Sequence, residues 1–384
     1  MPLVLNKLPL RQRIAPVFRG FDAPLLLAMA LLAGLGLLTM YSVGFDHGAR
    51  FSQHGRNMLI ALLVLLLVAQ IPPQRLMALA LPIYVAGVLL LLGVELFGIE
   101  RKGSQRWIDL GVVIQPSELL KIAMPLMLAW WFHRREGRLM PLDFVVALLV
   151  LALPTALIIN QPDLGTALLV LATGLFVIFF AGLSWKFILP PLLLAALGVV
   201  ALIVMEPQWC APGVDWQVLH EYQRRRVCTL LDPLEDPLGQ GFHVIQSTIA
   251  IGSGGIWGKG FMQGTQTHLE FIPERTTDFV YAAFAEEFGL VGVLILFGGF
   301  LFLIVRGLQI ALEAPTLFAR LLAAALSLSI FVHVFVNIGM VSGILPVVGL
   351  PLPFISYGGT AMVTLGVGLG MLLSIARARR LMPS

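Results

Sequence analysis

The chain has 384 residues, 58% of them apolar and only 12% charged, with a mean hydropathy of +0.92. Soluble domains run about 45–50% apolar and about 25% charged, so the composition excludes an ordinary soluble enzyme and points to an all-α polytopic membrane protein. Lys and Arg exceed Asp and Glu by 25 to 21, and this net +4 is too small and too scattered for nucleic-acid binding.

In chain order, Lys7, Arg11, Arg13 and Arg19 precede an apolar run from Ala23 to Val43. That run is longer than the ~7–15 residues of a signal-peptide core and reads as a retained first span. A crossing helix needs about 20 apolar residues. The pattern predicts ten spans, at 22–43, 57–71, 76–98, 117–132, 142–160, 164–182, 186–205, 278–305, 320–343 and 357–376. An even number puts both termini on one side. Short loops on that side carry Lys7, Arg11, Arg13, Arg19, Arg75, Arg134, Arg135, Arg138, Lys186, Arg306, Arg320, Arg377, Arg379 and Arg380. Those on the other side carry only Arg50, Arg56, Arg101, Lys102 and Arg106. The positive-inside rule then makes both termini cytoplasmic. Residues 1–384 read as one integral membrane domain, with 206–277 as its large extracytoplasmic loop between the seventh and eighth spans.

That loop holds the turn cluster LDPLEDPLGQG and then GFHVIQSTIAI. In the latter, His243, Gln246 and Ser247 share one helical stripe and Phe242, Ile245 and Ile249 another. The pattern fits a short helix lying on the membrane surface, or a helix packed within the loop. GSGGIWGKG follows. Five residues separate Gly252 from Gly258-Lys259 where a Walker loop has four, and Gly260 stands where it needs Ser or Thr. Tight turns near the membrane account for these glycines, and backbone amides cradling a phosphate are the alternative. No nucleotide site is expected. The two cysteines, Cys210 and Cys228, form no CxxC and stand by no His cluster, so no structural zinc is expected.

An ionisable side chain at the middle of a membrane helix costs roughly 2.5–3.5 kcal/mol and marks a polar interior. Arg101, Lys102, Arg106 and Trp107 lead into the fourth span, where Glu118 and Lys121 are neighbours at i and i+3. They form either an intrahelical ion pair or the lining of an outward cavity. Asp163 and Asp278 each stand where a helix begins, and capping accounts for either. Glu286 lies ~12 Å deeper and about 80° around from Asp278, and Glu287 about 180° around, so at most one shares its side. His333 and Asn337, at i and i+4, suit hydrogen bonds between helices, and Gly366 and Gly370 suit close helix packing. By topology Arg101, Lys102, Arg106, Glu118, Lys121, Asp163, Lys259, Arg275 and Asp278 share the outer interface. Cations there suit the phosphates of an anionic, lipid-linked substrate, and a carboxylate could take a hydroxyl proton.

The run from Arg101 to Met124, QPDLGT, LDPLEDPLGQGFHVIQSTIAIGSGG, GKGFMQGTQTHLEFIPERTTDF, AEEFGLVG and GMVSGILPVVGLPLPFISYGG resemble the SEDS family, the bacterial shape, elongation, division and sporulation proteins. The LDP…DPLG turn and GILPVVGLPLP fit its elongation branch better than its division branch. The resemblance covers nearly the whole chain. It implies a peptidoglycan glycosyltransferase that polymerises lipid II outside the cytoplasmic membrane and releases undecaprenyl pyrophosphate during cell elongation. A lipid II flippase is the alternative. The family's essential aspartate falls on Asp278, and its cavity-lining residues on Trp107, Glu118 and Lys121. A pyrophosphate would be held by basic residues from the set Arg101, Lys102, Lys121, Lys259 and Arg275, and Asp278 would remove or orient a hydroxyl proton, with or without a divalent cation, magnesium or manganese. The expected partners are a class B penicillin-binding protein supplying the transpeptidase, lipid II, the nascent glycan strand and membrane lipids. Thr276-Thr277 stands where the family often has His-Thr. Residues 205–217 look like an insertion carrying Cys210, and on this topology both cysteines face the oxidising side, which allows a disulfide.

Overall fold

A computed structural model describes residues 20–45, 48–101, 104–109, 111, 113–210, 214, 221–233, 239–269, 271–272 and 274–381. Thirteen helices and three short strands cover these residues. They are α1 (Ala23–Val43), α2 (Arg50–Val68), α3 (Pro73–Phe97), β1 (Ile99–Arg101), β2 (Ser104–Asp109), β3 (Val113–Ile114), α4 (Pro116–Arg134), α5 (Pro141–Asn160) and α6 (Leu164–Phe180). After these come α7 (Trp185–Trp209), α8 (Glu221–Leu231), α9 (Gln240–Gly254), α10 (Thr265–His268), α11 (Val280–Glu313), α12 (Leu317–Val341) and α13 (Gly359–Leu381).

Eight helices among the described residues are long and apolar enough to cross a membrane. Two of the ten predicted spans, α4 and α6, fall outside that set. α6 is apolar but has 17 residues. α4 carries Glu118 and Lys121, and its residues from Leu120 to Ala129 are all buried among α3, α6, α12 and α13. A helix enclosed by protein can carry charge that a lipid-facing helix cannot. α2 begins seven residues earlier than the 57–71 expected, because its first two turns carry the polar Arg50, Ser52, Gln53, His54 and Arg56, which an apolar pattern does not include in a span. His54 is fully buried, and Tyr357 Oη donates to Gln53 Oε1 at 2.9 Å. α7 is the opposite case: within 185–205 it buries no residue against the rest, and Leu, Val and Ile cover its whole circumference.

Gly366 and Gly370 of α13 lie against α2, as the GxxxG spacing suggested. A Cβ at either would come within 2.5 Å of Ala61 O or 2.7 Å of Leu65 O. At the cytoplasmic side of the predicted topology, Arg306 of α11 donates from Nη2 to Asp22 Oδ2 at 2.7 Å, while Asp22 Oδ1 caps α1 through Leu25 N.

Gly289 breaks α11 with φ 61° and ψ −163°, a conformation open to glycine alone. The glycine-rich segment 254–260 crosses that break. Lys259 N and Gly260 N donate to Glu286 O and Glu287 O, both at 3.0 Å, and Leu290 N donates to Gly255 O at 2.9 Å. A Cβ on Gly258 would sit 2.0 Å from Glu287 O, and one on Gly289 2.2 Å from Gly258 N. The glycines of GSGGIWGKG therefore serve backbone-to-backbone contact. α9 packs on α11 with its polar stripe inward: Ser247 is fully buried and donates to Val341 O at 2.7 Å, and His243 stacks on Phe279. A disulfide joins Cys210, just after α7, to Cys228 in α8.

Candidate active site

The antiparallel sheet β1-β2-β3 folds over the N-terminal end of α4 and brings Arg106 and Trp107 above it. A cavity of about 370 Å³ opens there, lined by Arg106, Trp107, Gln115, Glu118, Lys121, Asp163, Thr166, Thr360, Ala361 and the loop residues Gly349, Leu350, Pro351 and Gly358. Pro116 starts α4 one residue after Gln115, so its first two turns aim Glu118 and Lys121 into this space.

Lys121 Nζ lies 2.5 Å from Glu118 Oε1, with side chains only 6% and 13% exposed. The other carboxylate oxygen, Glu118 Oε2, is buried with no hydrogen-bond partner among the described residues. A buried acceptor left unmade costs about 1–3 kcal/mol, and here a ligand hydroxyl or amide could supply the donor. Lys121 also lines a second, smaller space of about 40 Å³ deeper in the bundle, together with Thr173, Ser329, His333 and Thr364.

Asp163 caps α6 through Thr166 N at 3.2 Å, so the capping reading holds. It also faces the cavity, where Gln115 Nε2 and Ser117 Oγ donate to its Oδ2 at 2.8 and 3.3 Å. Arg106 donates to Gln161 O at 3.0 Å and to Pro162 O, and its Nη1 lies 3.9 Å from Asp163 Oδ1. It fastens the sheet to the turn between α5 and α6 as well as lining the cavity.

Asp278 does not cap its helix. The N-cap of α11 is Phe279, with no side-chain cap bond. Asp278 instead meets the Pro- and Gly-dense loop between α12 and α13, where a Cβ on Gly349 would lie 3.4 Å from its Oδ2. Gly349 lines the cavity, so the carboxylate abuts the cavity wall. Three consecutive carbonyls are held by partners from the α12 end of the bundle and the loop after it. Thr276 O accepts from Tyr357 N at 2.8 Å, Thr277 O from Ser356 Oγ at 2.6 Å and Asp278 O from Asn337 Nδ2 at 3.0 Å.

Lys259 and Arg275 lie elsewhere. Lys259 is 2.6 Å from Glu286 Oε1 at the helix break, outside the cavity lining. Arg275 is buried, donates to Val43 O at 3.3 Å and stands over the Phe45 ring. Arg101 closes β1, but its side chain, like all of Lys102, falls outside the described residues. Neither Glu286 nor Glu287 lines the cavity; Glu287 accepts from Ser42 Oγ in α1. Gln115, Thr166, Thr360, Ser356 and Gly349 were not foreseen, and Asn337 was foreseen only as a hydrogen-bonding partner between helices. Uncharged residues in a hydrophobic chain stand out little, and only the density of Pro and Gly after α12 marked that loop as special.

These features define a class: a polytopic helical membrane protein with a polar, carboxylate-bearing cavity near one end of its bundle. A family model described as cell cycle protein (FtsW, RodA, SpoVE) matches residues 23–381. The chain belongs to this family, as the motif resemblance implied. It is 47% identical to the peptidoglycan glycosyltransferase MrdB of Escherichia coli K12 over 93% of this chain and 94% of that protein. It is 32% identical to the peptidoglycan glycosyltransferase RodA of Treponema pallidum, over 94% and 98%. A solved chain from work on a peptidoglycan synthase complex that coordinates polymerization and crosslinking superposes with a TM-score of 0.76, at 36% identity over 94% and 99%. The rod shape determining protein RodA of Thermus thermophilus superposes with 0.69, at 29% identity over 94% and 98%.

Proposed function

We propose that this chain is a peptidoglycan glycosyltransferase that polymerises lipid II into glycan strands on the outer face of the cytoplasmic membrane during cell elongation. The observation that carries the reading is the cavity in which the Glu118–Lys121 pair meets the wall bearing Asp278. In the proposed reaction the growing lipid-linked glycan is the donor and a lipid II hydroxyl is the acceptor. Asp278 takes the hydroxyl proton as general base. The acceptor oxygen bonds to the anomeric carbon while the bond to the pyrophosphate oxygen breaks, and undecaprenyl pyrophosphate leaves. Direct displacement inverts the anomeric centre. Lys121 and Arg106 are the cations on the cavity wall placed to offset charge on the leaving pyrophosphate. Trp107 offers a flat apolar surface on the cavity lining.

Among the described residues no three His, Cys, Asp or Glu side chains gather to hold a metal. A magnesium or manganese ion used here would therefore take most of its ligands from substrate phosphate and water, as magnesium commonly does. Both termini are proposed to be cytoplasmic and 206–277 to face outward. A class B penicillin-binding protein is the proposed partner, in keeping with the synthase complex from which a structural relative comes.

The test is polymerisation of lipid II by purified protein and partner in detergent. Wild type should make glycan strands with no bilayer present, which a flippase would not, and Asp278→Ala should fold, bind the partner and make none. Strands made by Asp278→Ala would remove the base from the mechanism.

A further inference from the structure

We propose that Asn337 is a positioning residue for polymerisation, a role that rests on Asp278 being the base. Asn337 is fully buried near the end of α12. Its single amide nitrogen donates to Asp278 O at 3.0 Å and to Leu350 O at 2.6 Å. Leu350 lines the cavity, so one planar group fixes the peptide of the base to the wall beside the reacting sugar.

The location explains why such a tie is needed. The stretch 274–279 is a run of turns that starts at Glu274, where φ is 52°. Helical bonding does not begin until Phe279 O accepts from Ala282 N at 3.0 Å. The peptide of Asp278 therefore takes its restraint from outside α11. Tyr357 N and Ser356 Oγ hold the two carbonyls before it, and Ser356 Oγ also accepts from Leu352 N at 2.8 Å. Of the three donors, Asn337 alone comes from a helix, so it references the base to the rigid bundle rather than to the loop.

Packing by itself does not call for an amide here. Asn337 Oδ1 is buried with no hydrogen-bond partner among the described residues, an expense an apolar side chain of similar size would avoid. The useful part of the group is the nitrogen that bridges two carbonyls.

The experiment uses full-length protein with its partner and lipid II, comparing wild type, Asn337→Ala, Asp278→Asn and the double variant. Alanine opens space for water to bond the two freed carbonyls, which favours folding. A displacement on the order of 1 Å costs about 100-fold in rate, so Asn337→Ala should lower kcat by about that factor. The KM for lipid II should stay within about twofold, because transition-state geometry and not uniform binding is lost. In the Asp278→Asn background the same substitution should leave the residual rate unchanged, which a general loss of structure would not do. Ser356→Ala, a milder change to the next carbonyl, is read in the same way and should cost about 10-fold in kcat. Should Asn337→Ala fail to fold, Ser356→Ala alone and in the Asp278→Asn background decides the question. If Asp278→Asn reduces the enzyme to a small residual rate while the variant read keeps its kcat, raises only KM, or lowers that residual rate further, the positioning role is overturned and the base assignment stands. If Asp278→Asn itself polymerises at the wild-type rate, the base assignment fails and the positioning role fails with it.

Discussion

Glu286 is fully buried beside the break in α11, and its carboxylate accepts five hydrogen bonds. Oε1 takes Lys259 Nζ at 2.6 Å, Thr265 Oγ1 at 3.1 Å and Gln266 N at 3.0 Å, and Oε2 takes Thr267 N and Thr267 Oγ1, both at 3.3 Å. Glu286→Gln replaces one of these oxygens with an NH2 group. Placed at Oε2, that group faces the Thr267 N–H and leaves a buried donor unmade, which costs about 1–3 kcal/mol. The counter-charge of Lys259 is lost as well. Removing one partner of a buried pair generally costs ~3–5 kcal/mol. Lys259 is 25% exposed, so water recovers part of its share, and about 3–4 kcal/mol is expected for Glu286→Gln. Lys259→Met leaves the carboxylate with its neutral donors and should cost about 2–3 kcal/mol. The double variant should cost at least ~1 kcal/mol less than the sum, because the two side chains share one interaction. Equilibrium unfolding in detergent, followed by helicity in all four proteins, measures this cycle. A Glu286→Gln protein within about 1 kcal/mol of wild type, or strictly additive costs, would refute a coupled ion pair at the break.

Lys121→Met should lower kcat by about 10²–10³, the cost of removing one donor aimed at developing charge, and partner pull-down should be unchanged; the detergent polymerisation assay measures it. Replacing Cys210 and Cys228 together by serine should abolish the mobility shift between reduced and oxidised protein on a denaturing gel. It should also lower unfolding stability by about 3 kcal/mol, the loop-closure value for a cross-link between residues 18 apart.

The membrane class and most of the helices were legible in the sequence because the bilayer imposes a one-dimensional rule: a crossing helix must be apolar over about 20 residues. The same rule made Glu118, Lys121, Asp163 and Asp278 conspicuous, since a charge in a span needs an enclosed polar setting. Specific motifs carried the family. Composition could not say which charges share a space. Lys259 and Lys121 read alike in sequence, yet Lys259 pairs with Glu286 at the helix break and Lys121 pairs with Glu118 on the wall of the cavity. The difference arises because Gly289 breaks α11 and lets residues 254–260 lie across it, a contact between segments about 30 residues apart in the chain.

Asp278 shows the same division. Its residue type and its place at the start of a span were readable, and so was capping as the ordinary explanation. Only the folded chain brings Asn337 and Gly349 to it, ties Thr276 and Thr277 before it to Tyr357 and Ser356, and removes it from the cap. Hydropathy and local propensity act within a few turns of chain, and so they determine where helices run. Which helix is enclosed, and which carboxylate meets which donor, depends on packing between distant segments, and the tertiary structure alone decides it.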